Sequence, residues 1–401
     1  MGARPTGDAS SGRRRKRGPP DRPPPLTLTL QVSRESLFES VPNFSEGRRK
    51  DVIEEISAAA GRAHLLDVDA DADHNRVVVS AAGYRERLVS GLMGAIAAAV
   101  ERVDIRRHEG VHPRVGVADV VPIVPLGETL LEACREVARE LGEQIWRELN
   151  VPVFYYGHGE KTTLADIRAG RAKPDVGGPA LHPTAGAVCV GARRSLVAFN
   201  VILYEMDLVA ARALARSLRE TAAGLRGVQA LAFALPGDRV QLSMNLFRTD
   251  ETTPSDVITE LRNRGVSMGA QQVVGLCPAI AVNSAAAGRV LEGRLAAAAA
   301  RAAAILCLKR GGEEHERLAS RISREAAEFA GLDADEDAIL AGAERAAALI
   351  PVLRAAQVHD DELELMLLVA SQGLRAAITA ATRAVYQARV DALDARLSSL
   401  A

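Results

Sequence analysis

The chain has 401 residues, 48% hydrophobic and 25% charged, which is typical of globular proteins large enough to bury a sizeable core. A formal net charge of -1 argues against nucleic-acid binding through an overall positive field. No apolar run reaches the roughly 20 residues that span a bilayer, so we expect no membrane partner. The four cysteines form no CxxC pair, which favours a reduced, cytoplasmic protein without disulfides.

Residues 1–35 are predicted to be a disordered extension, because the segment is rich in Arg, Pro and Gly. Its RRRKR run could bind anions, but the composition favours a solvated tail. No hydrophobic stretch of signal-peptide length follows the run, so secretion is not expected.

The hydrophobic pattern of residues 36–186 predicts an α/β subdomain. A short strand in SLFESVPN precedes a helix over Arg48–Ala60, with Ser45 as the predicted N-cap. Hydrophobic periodicity then predicts two strands, a helix and a third strand, over Ala63–Ala70, Arg76–Ala82, Arg85–Val103 and Val117–Leu126. This β-α-β-β-α-β order is the ferredoxin-like pattern. A helix over Thr129–Leu149, a strand over Val151–Tyr156 and a long loop to about Gly186 complete this part.

Residues 187–294 predict the same β-α-β-β-α-β order a second time, over Leu196–Leu203, Asp207–Leu225, Val228–Leu235, Arg239–Phe247, Ser255–Arg264 and Gln271–Pro278. Two such subdomains side by side leave a cleft, which is a favoured place for a ligand. Residues 295–401 predict an all-helical bundle, in which Pro351 should break or kink one helix. The predicted fold class is therefore α/β (α+β), with two ferredoxin-like subdomains and a C-terminal helical bundle.

The stretch RRHEGVHPRVG carries two imidazoles, His108 and His112, and leads into an apolar run. Polar loops on a rigid scaffold often hold catalytic groups, and imidazole suits proton transfer near neutral pH. A solvated surface loop is the alternative interpretation. A metal site would need three or four ligands, and histidines four apart share a metal only on a helix, which Gly110 and Pro113 disfavour. We therefore prefer proton transfer and expect no metal.

Two further stretches attract attention. DVDADADHNR has the acid density of a calcium loop, but it lacks the glycine and glutamate that an EF-hand requires. One interpretation of this stretch is a solvated turn. The other is that its Asp69 has a functional role and orients an imidazole or accepts a proton. The segment around PDVGGP is rich in glycine, which permits close approach by a flat ligand. It does not match the GxGxxG pattern of dinucleotide-binding loops.

Seven motifs, which occur in order over about Phe38–Leu295, together resemble the formiminotransferase domain of the glutamate formimidoyltransferase family. They are VPNFSEG, LLDVDADADHNR, HEGVHPRVGVADVVP, VPVFYYG, PDVGGP with HPTAG, GAR and AFN, LSMNL and VVGLCP. The resemblance implies two ferredoxin-like subdomains flanking a tunnel. It also implies transfer of the formimino group from N-formimino-L-glutamate to N5 of tetrahydrofolate, which is a co-substrate, with release of L-glutamate.

The resemblance also implies roles for individual residues. His112, in the HPR triplet, is the expected proton-transfer residue, and Asp69 is a second acid/base or orienting group. Substrate carboxylates are assigned to Arg76, Arg114 and Arg193, because a guanidinium matches a carboxylate bidentately, and to Asn200. The segment expected to bind folate includes Asp175, Val176, Gly177, Gly178, Thr184 and Gly186. Val176 stands where the family has an aromatic residue.

Bifunctional members of this family carry a helical cyclodeaminase domain after the transferase. Residues 295–401 are shorter and lack a GGGS-like motif, so we expect a helical appendage that is either a degenerate cyclodeaminase-like bundle or an oligomerisation element of a homodimer. Two functional alternatives stay open. One is a non-catalytic module that binds folate or an acidic metabolite, and the other is a transferase for a different formimino or formyl donor.

Overall fold

The structure is a computed structural model that describes residues 36–110 and 113–401. The predicted disordered extension, residues 1–35, and the predicted proton-transfer residue His112 therefore lie outside the described residues.

The first subdomain contains a seven-stranded sheet, with its three longer helices packed on one face. Its strands are β1 (Leu37–Ser40), β2 (Asn43–Phe44), β3 (His64–Asp71), β4 (Arg76–Tyr84), β5 (Ala118–Pro125), β6 (Val153–Gly157) and β7 (Val188–Ala192). Its helices are α1 (Lys50–Ala59), α2 (Arg85–Arg102), α3 (Leu131–Leu149) and α4 (Leu164–Arg168).

Four strands of this sheet lie in the antiparallel order β5–β1–β4–β3, which is the ferredoxin-like order that the sequence predicted. After a break at Val41 and Pro42, β2 continues the line of β1 and pairs with the same two neighbours. The sheet is then extended by β7 and β6, which run parallel to β5. The strand β7 was not predicted, because its five residues are all buried and show no alternation of apolar and polar positions.

The second subdomain repeats the ferredoxin-like order in a four-stranded sheet, β11–β8–β10–β9. Its strands are β8 (Val197–Leu203), β9 (Val228–Leu235), β10 (Arg239–Leu246) and β11 (Met268–Val274), and its helices are α5 (Leu208–Leu218) and α6 (Pro254–Asn263). Along β8, alternate residues are buried in the core that α5 and α6 cover, and the others lie on the open face. The predicted repeat is therefore confirmed, although α5 ends earlier than expected.

The C-terminal region is helical, as predicted. Its helices are α7 (Leu291–Arg310), α8 (Glu313–Ala330), α9 (Glu336–Ala355), α10 (Asp361–Ala376), α11 (Ala380–Val385) and α12 (Gln387–Leu400). The predicted boundary at residue 295 falls inside α7. The core of these helices is continuous with Leu37, Leu66 and Ala82 on the face of the first sheet opposite α1, α2 and α3. None of the described helices is long and apolar enough to cross a membrane.

The helix α9 continues through Pro351 to Ala355, so of the break or kink predicted at this proline the break is excluded. The predicted N-cap of α1 was wrong. Ser45 does not cap α1, since its hydroxyl donates a hydrogen bond to the Gly116 carbonyl at 2.8 Å. The amides of Arg48 and Arg49 instead donate to the Glu46 carboxylate, each at 2.9 Å. Although burial raises the pKa of Glu46, these hydrogen bonds lower it overall.

Candidate active site

A narrow cleft lies where β2, β4 and the start of β5 meet. It is lined by Phe44, Ser45, His74, Asn75, Arg76, Arg114 and Asp119. The second subdomain reaches this region through Phe233 of β9, whose ring meets the His74 ring edge-on at 6.3 Å. A second contact is the ion pair between Arg239 of β10 and Asp73, at 2.9 Å. The β3–β4 turn is thus held between the two subdomains.

Asp119 is a buried carboxylate at the start of β5, with a relative exposure of 3%. One oxygen accepts the Val115 amide at 2.6 Å, and the other accepts Nη2 of Arg168 at 3.1 Å. The Asp119 charge also acts on Arg76 and Arg114, whose pKa values it raises against the stronger effect of burial. Three guanidinium groups therefore surround one carboxylate, and the cleft carries excess positive charge.

The hydrogen bonds of the Arg76 guanidinium are incomplete among the described residues. Its Nη2 donates to Oδ1 of Asn43, but its buried Nε has no hydrogen-bond partner among the described residues. Burial lowers the pKa of Arg76 to about 10; the Asp119 charge opposes this, and Arg168 adds to it. A buried donor without a partner is costly. An anion at this point would supply the missing acceptor and offset the repulsion between the arginines.

His108 is the imidazole of the histidine loop that the structure describes. Its Nε2 lies 2.8 Å from the Asn75 carbonyl oxygen and 2.8 Å from Nη1 of Arg114. Its buried Nδ1 has no hydrogen-bond partner within the described ranges. A neutral ring carries one proton, so Nε2 can donate to the carbonyl or accept from the arginine, but not both.

The residues before His112 also approach the cleft. A Cβ added to Gly110 would lie 2.4 Å from the His74 carbonyl oxygen and 2.8 Å from Nη2 of Arg114. This close approach requires glycine, because any side chain would collide with the turn. The histidine loop is therefore packed against the β3–β4 turn on the N-terminal side of His112.

Asp69, on β3, shares the sheet face of the cleft but has its own partners. Through the pairing of β3, β4 and β2, Asp69 and Asn43 lie on either side of Val78, with Cα atoms roughly 10 Å apart by two strand spacings. The Asp69 carboxylate accepts the Gly275 amide at 2.8 Å and Nη1 of Arg289 at 2.7 Å. Both donors come from the chain between β11 and α7.

The structure does not bring Arg193 into the arginine cluster. Arg193 follows β7, beside Ile123, which lies four residues, or roughly 13 Å, along β5 from Asp119. Its charge acts there on Glu39 and Tyr156. Asn200 lies on β8, on the open face of the second sheet, where it pairs with Ser243 and Gln272.

The residues expected to bind folate fall into two groups. The first group lies near the start of β6. Asp175 accepts a hydrogen bond from the Tyr155 amide at 2.7 Å, and Val176 packs on the core between the first sheet and its helices. Gly177 lies against the Trp146 ring. An alanine at Gly178 would contact nothing within 4 Å.

The second group, Thr184 and Gly186, lies beside the histidine loop. The Thr184 carbonyl accepts the Ile105 amide at 2.8 Å, and Gly186 pairs with Gly116. Only this group borders the chain that carries Arg114.

Comparison with known proteins identifies the family of this chain. The family model described as "Formiminotransferase domain, N-terminal subdomain" matches residues 37–193. The glutamate formimidoyltransferase of Streptococcus pyogenes serotype M1 is 34% identical over 274 residues, which cover 61% of this chain and 90% of that protein. The glutamate formimidoyltransferase of Thermoplasma acidophilum is 36% identical over 269 residues, covering 61% and 88%. The chain belongs to the glutamate formimidoyltransferase family.

The resemblance stated from the sequence is thereby confirmed. Some members of the glutamate formimidoyltransferase family are longer. The formimidoyltransferase-cyclodeaminase of Gallus gallus is 37% identical over 281 residues, which cover 62% of this chain and 52% of that protein. The chain therefore spans about half the length of this relative.

Sequence reasoning missed several residues that surround the site in this glutamate formimidoyltransferase family member. Asn43 lies inside the quoted VPNFSEG motif, and Asp119 is a lone carboxylate in a predicted buried strand, which signals a need for a partner. His74 lay in a stretch interpreted as a polar turn. Arg289 gave no signal, since it lies 220 residues from Asp69. Among the described residues, no group of three or more His, Cys, Asp or Glu side chains could hold a metal ion.

Proposed function

We propose that this protein transfers the formimino group of N-formimino-L-glutamate to N5 of tetrahydrofolate, giving 5-formiminotetrahydrofolate and L-glutamate. The relatives that it covers almost end to end carry the name of this activity. Tetrahydrofolate is the co-substrate, and we propose no metal. We further propose a cytoplasmic homodimer, and the four buried thiols fit a reducing compartment.

The observation that supports this proposal most directly is the excess of arginine in the cleft. Arg76, Arg114 and Arg168 lie near the buried carboxylate of Asp119, the Asp71 charge also acts on Arg76, and Nε of Arg76 has no acceptor among the residues that the structure describes. Both proposed substrates carry carboxylates, which the guanidinium group binds through charge-assisted hydrogen bonds. A substrate carboxylate beside Arg76 would satisfy the unpaired donor and neutralise the cluster.

The reaction forms one bond, breaks one bond and requires two proton transfers, one from N5 of tetrahydrofolate and one to the glutamate nitrogen. N5 of tetrahydrofolate attacks the formimino carbon and loses a proton, and the bond from that carbon to the glutamate nitrogen breaks as this nitrogen gains a proton. One imidazole can accept the first proton and deliver the second. We assign this role to His112, with Asp69 as a second acid/base or orienting group.

In this proposal other residues, two of them in the cleft and the rest outside it, bind substrate. Arg76, Arg114 and Arg193 hold carboxylates, and Asn200 contributes from the second subdomain. The segment from Asp175 to Gly186 holds folate, with Thr184 and Gly186 nearest the histidine loop. The side chain of Val176 packs toward the helices of the first subdomain, so pterin stacking falls to another residue.

The test is a direct assay of formimino transfer with the purified protein, N-formimino-L-glutamate and tetrahydrofolate, followed through the 5,10-methenyl product after acid treatment. We expect turnover by the wild type and a loss of about 100-fold or more in His112→Ala, as for loss of a general acid/base. Arg76→Met should raise KM for the glutamate substrate about 10- to 100-fold, the value of one or two charged hydrogen bonds.

Two matched variants serve as controls, His359→Ala at an exposed position before α10 and Arg171→Met at an exposed position after α4. Both should retain wild-type kinetics. A wild-type protein that binds folate without turnover would replace the transferase proposal by the binding module. Silence without binding would indicate a different donor and acceptor.

A further inference from the structure

The side chain of Asp69 is held by donors that come from outside its own subdomain. The carboxylate is 11% exposed, and its Oδ2 accepts both the Gly275 amide and Nη1 of Arg289, at 2.8 and 2.7 Å. The second nitrogen of the same guanidinium, Nη2, lies 3.5 Å from Oδ1. A planar guanidinium that meets both carboxylate oxygens fixes the rotation of the carboxylate as well as its position.

Arg289 is itself held in place by the backbone. Its amide donates to the Ala286 carbonyl at 2.8 Å, and its carbonyl accepts the Cys277 amide at 2.9 Å. Leu291, the first residue of α7, then donates back to the Cys277 carbonyl at 2.8 Å. The guanidinium that meets Asp69 is thus carried on a short bridge between the end of the second subdomain and α7.

A second carboxylate competes for the same charge. Asp67 lies two residues earlier on β3, at 3.7 Å from Nη1 of Arg289 and 3.4 Å from Nη1 of Arg294. Burial raises the pKa of Asp67, against the opposing charges of Arg294 and Arg289. Because Arg294 is the nearer cation to Asp67, the short contacts of Arg289 remain with Asp69.

We propose that Arg289 is the positioning residue for Asp69 and sets its carboxylate for the formimino transfer, an inference that rests on the proposed function. The residue acts through Asp69 and does not meet the substrate. Since Arg289 immediately precedes α7, this contact makes the chain that leads into the helical region a part of the catalytic unit.

The experiment compares kcat and KM for formimino transfer in the full-length wild type, Arg289→Met, Asp69→Asn and the double variant. We expect Arg289→Met to lower kcat about 10- to 100-fold with KM within about threefold, since misplacing a reacting group by about 1 Å costs this much. In the double variant, kcat should match that of Asp69→Asn alone, because Arg289 acts only through Asp69. Arg289→Lys, which keeps the charge but not the fork, should recover part of the lost kcat.

Arg301→Met is the matched control. Arg301 lies on α7 and donates to the Leu65 carbonyl of β3 at 3.1 Å, so it joins the same two elements without touching Asp69. Its kcat and KM should stay within about twofold of wild type.

Three outcomes would overturn the inference or its basis. An active wild type with a normal Arg289→Met, or a double variant that loses the product of both single effects, would overturn the inference alone. An inactive wild type would overturn the proposed function itself. If Arg289→Met does not melt cooperatively, Arg289→Lys takes its place. The kinetics of Arg289→Lys and of Arg289→Lys combined with Asp69→Asn are then compared by the same criteria.

Discussion

Glu39 is a buried carboxyl group, and Glu292 is a partly buried one whose charge acts on it. Glu39 lies on β1 with a relative exposure of 3%, and Glu292 lies in the first turn of α7, where it accepts the Ala279 amide at 2.8 Å. Burial raises the pKa of each group to about 7. The Arg193 charge lowers the pKa of Glu39, and the Glu292 charge raises it. Each of the two carboxyls therefore binds a proton in the folded protein under conditions where the unfolded chain releases it.

This pair predicts a pH dependence of stability. A carboxyl whose pKa rises on folding from 4.5 to about 7 holds an extra proton in the folded state, so its contribution to stability falls as pH rises between these values. Glu39→Gln removes this effect. From about pH 5 to about pH 8 we expect the variant to lose less free energy of unfolding than wild type, by on the order of 1–3 kcal/mol in urea titrations.

Glu101→Gln, at an exposed position on α2, is the control and should follow the wild-type pH dependence. Equal losses in Glu39→Gln and wild type would show that Glu39 is ionised in the folded protein at neutral pH.

At the scale of elements, two glycine-containing segments carry the histidine loop into β5. Gly116 and Gly186 pair as an isolated bridge, and Gly186 has a φ of +72°. A Cβ at Gly186 would lie 2.3 Å from the Val115 carbonyl oxygen. Because Val115 follows Arg114 directly, a shift at this contact moves an arginine of the cleft.

Gly186→Ala should therefore destabilise the protein by about 1–3 kcal/mol, since it combines a left-handed backbone with a backbone collision. We expect KM for the glutamate substrate to rise in the same variant. Gly178→Ala belongs to the same segment but meets nothing within 4 Å, and it should stay within about 0.5 kcal/mol of wild type. Thermal melting and the transfer assay check both variants, and equal melting temperatures would contradict the argument.

Elements were predictable where local periodicity was long. The two β-α-β-β-α-β units emerged from alternating and four-spaced apolar residues, which report burial within one element. The strand β7 was missed because VCVGA is short and buried on both faces, so it shows no alternation of apolar and polar residues. The Ser45 cap was wrong because Ser45 is drawn to Gly116, 71 residues away, and local pattern carries no information about such a partner.

At the scale of the whole molecule, the helical region is joined to the first subdomain by a buried carboxylate. Glu362 of α10 accepts the Tyr84 amide at 2.6 Å and Nε of Arg87 at 2.6 Å. Burial raises the pKa of Glu362, but the His64 ring, whose Nε2 lies 3.6 Å away, the hydrogen bond from the Tyr84 amide and the Arg87 charge lower it overall. The ionised form therefore stabilises the folded protein.

Glu362→Gln should lower the free energy of unfolding at neutral pH by about 1–3 kcal/mol, the value of charged hydrogen bonds with a buried group. A carboxyl whose pKa is lower in the folded than in the unfolded protein stabilises the folded state at pH values above its unfolded pKa. This stabilisation is lost as the pH falls through the folded pKa. The difference from wild type should therefore shrink in acid.

Glu364→Gln is the matched control in urea unfolding. Glu364 also lies on α10 but pairs with Arg354 of α9, inside the helical region. The free energy of unfolding should fall less in Glu364→Gln than in Glu362→Gln, and the contact with the first subdomain should stay intact. A Glu362→Gln loss that is no larger than that of Glu364→Gln would contradict a joining role for Glu362.

The candidate site was predictable only in part, for reasons that appear at this scale. Arg76 and Arg114 were nominated from family motifs, and the structure places both in one cleft. Arg193 was nominated in the same way and lies along the sheet from them. The partners Arg289 and Glu362 are 220 and 278 residues from Asp69 and Tyr84, so only the folded chain brings each pair together.

The shared core of the first sheet and the helices has a consequence for synthesis. Leu37, Leu66 and Ala82 are made early, yet their apolar cover comes from α7 and α10. Translation proceeds at about 5–20 residues per second, so α10 is synthesised on the order of half a minute after these strands. A chain on the ribosome thus presents an uncovered sheet throughout that interval, and its need for chaperones should end only when α10 has emerged.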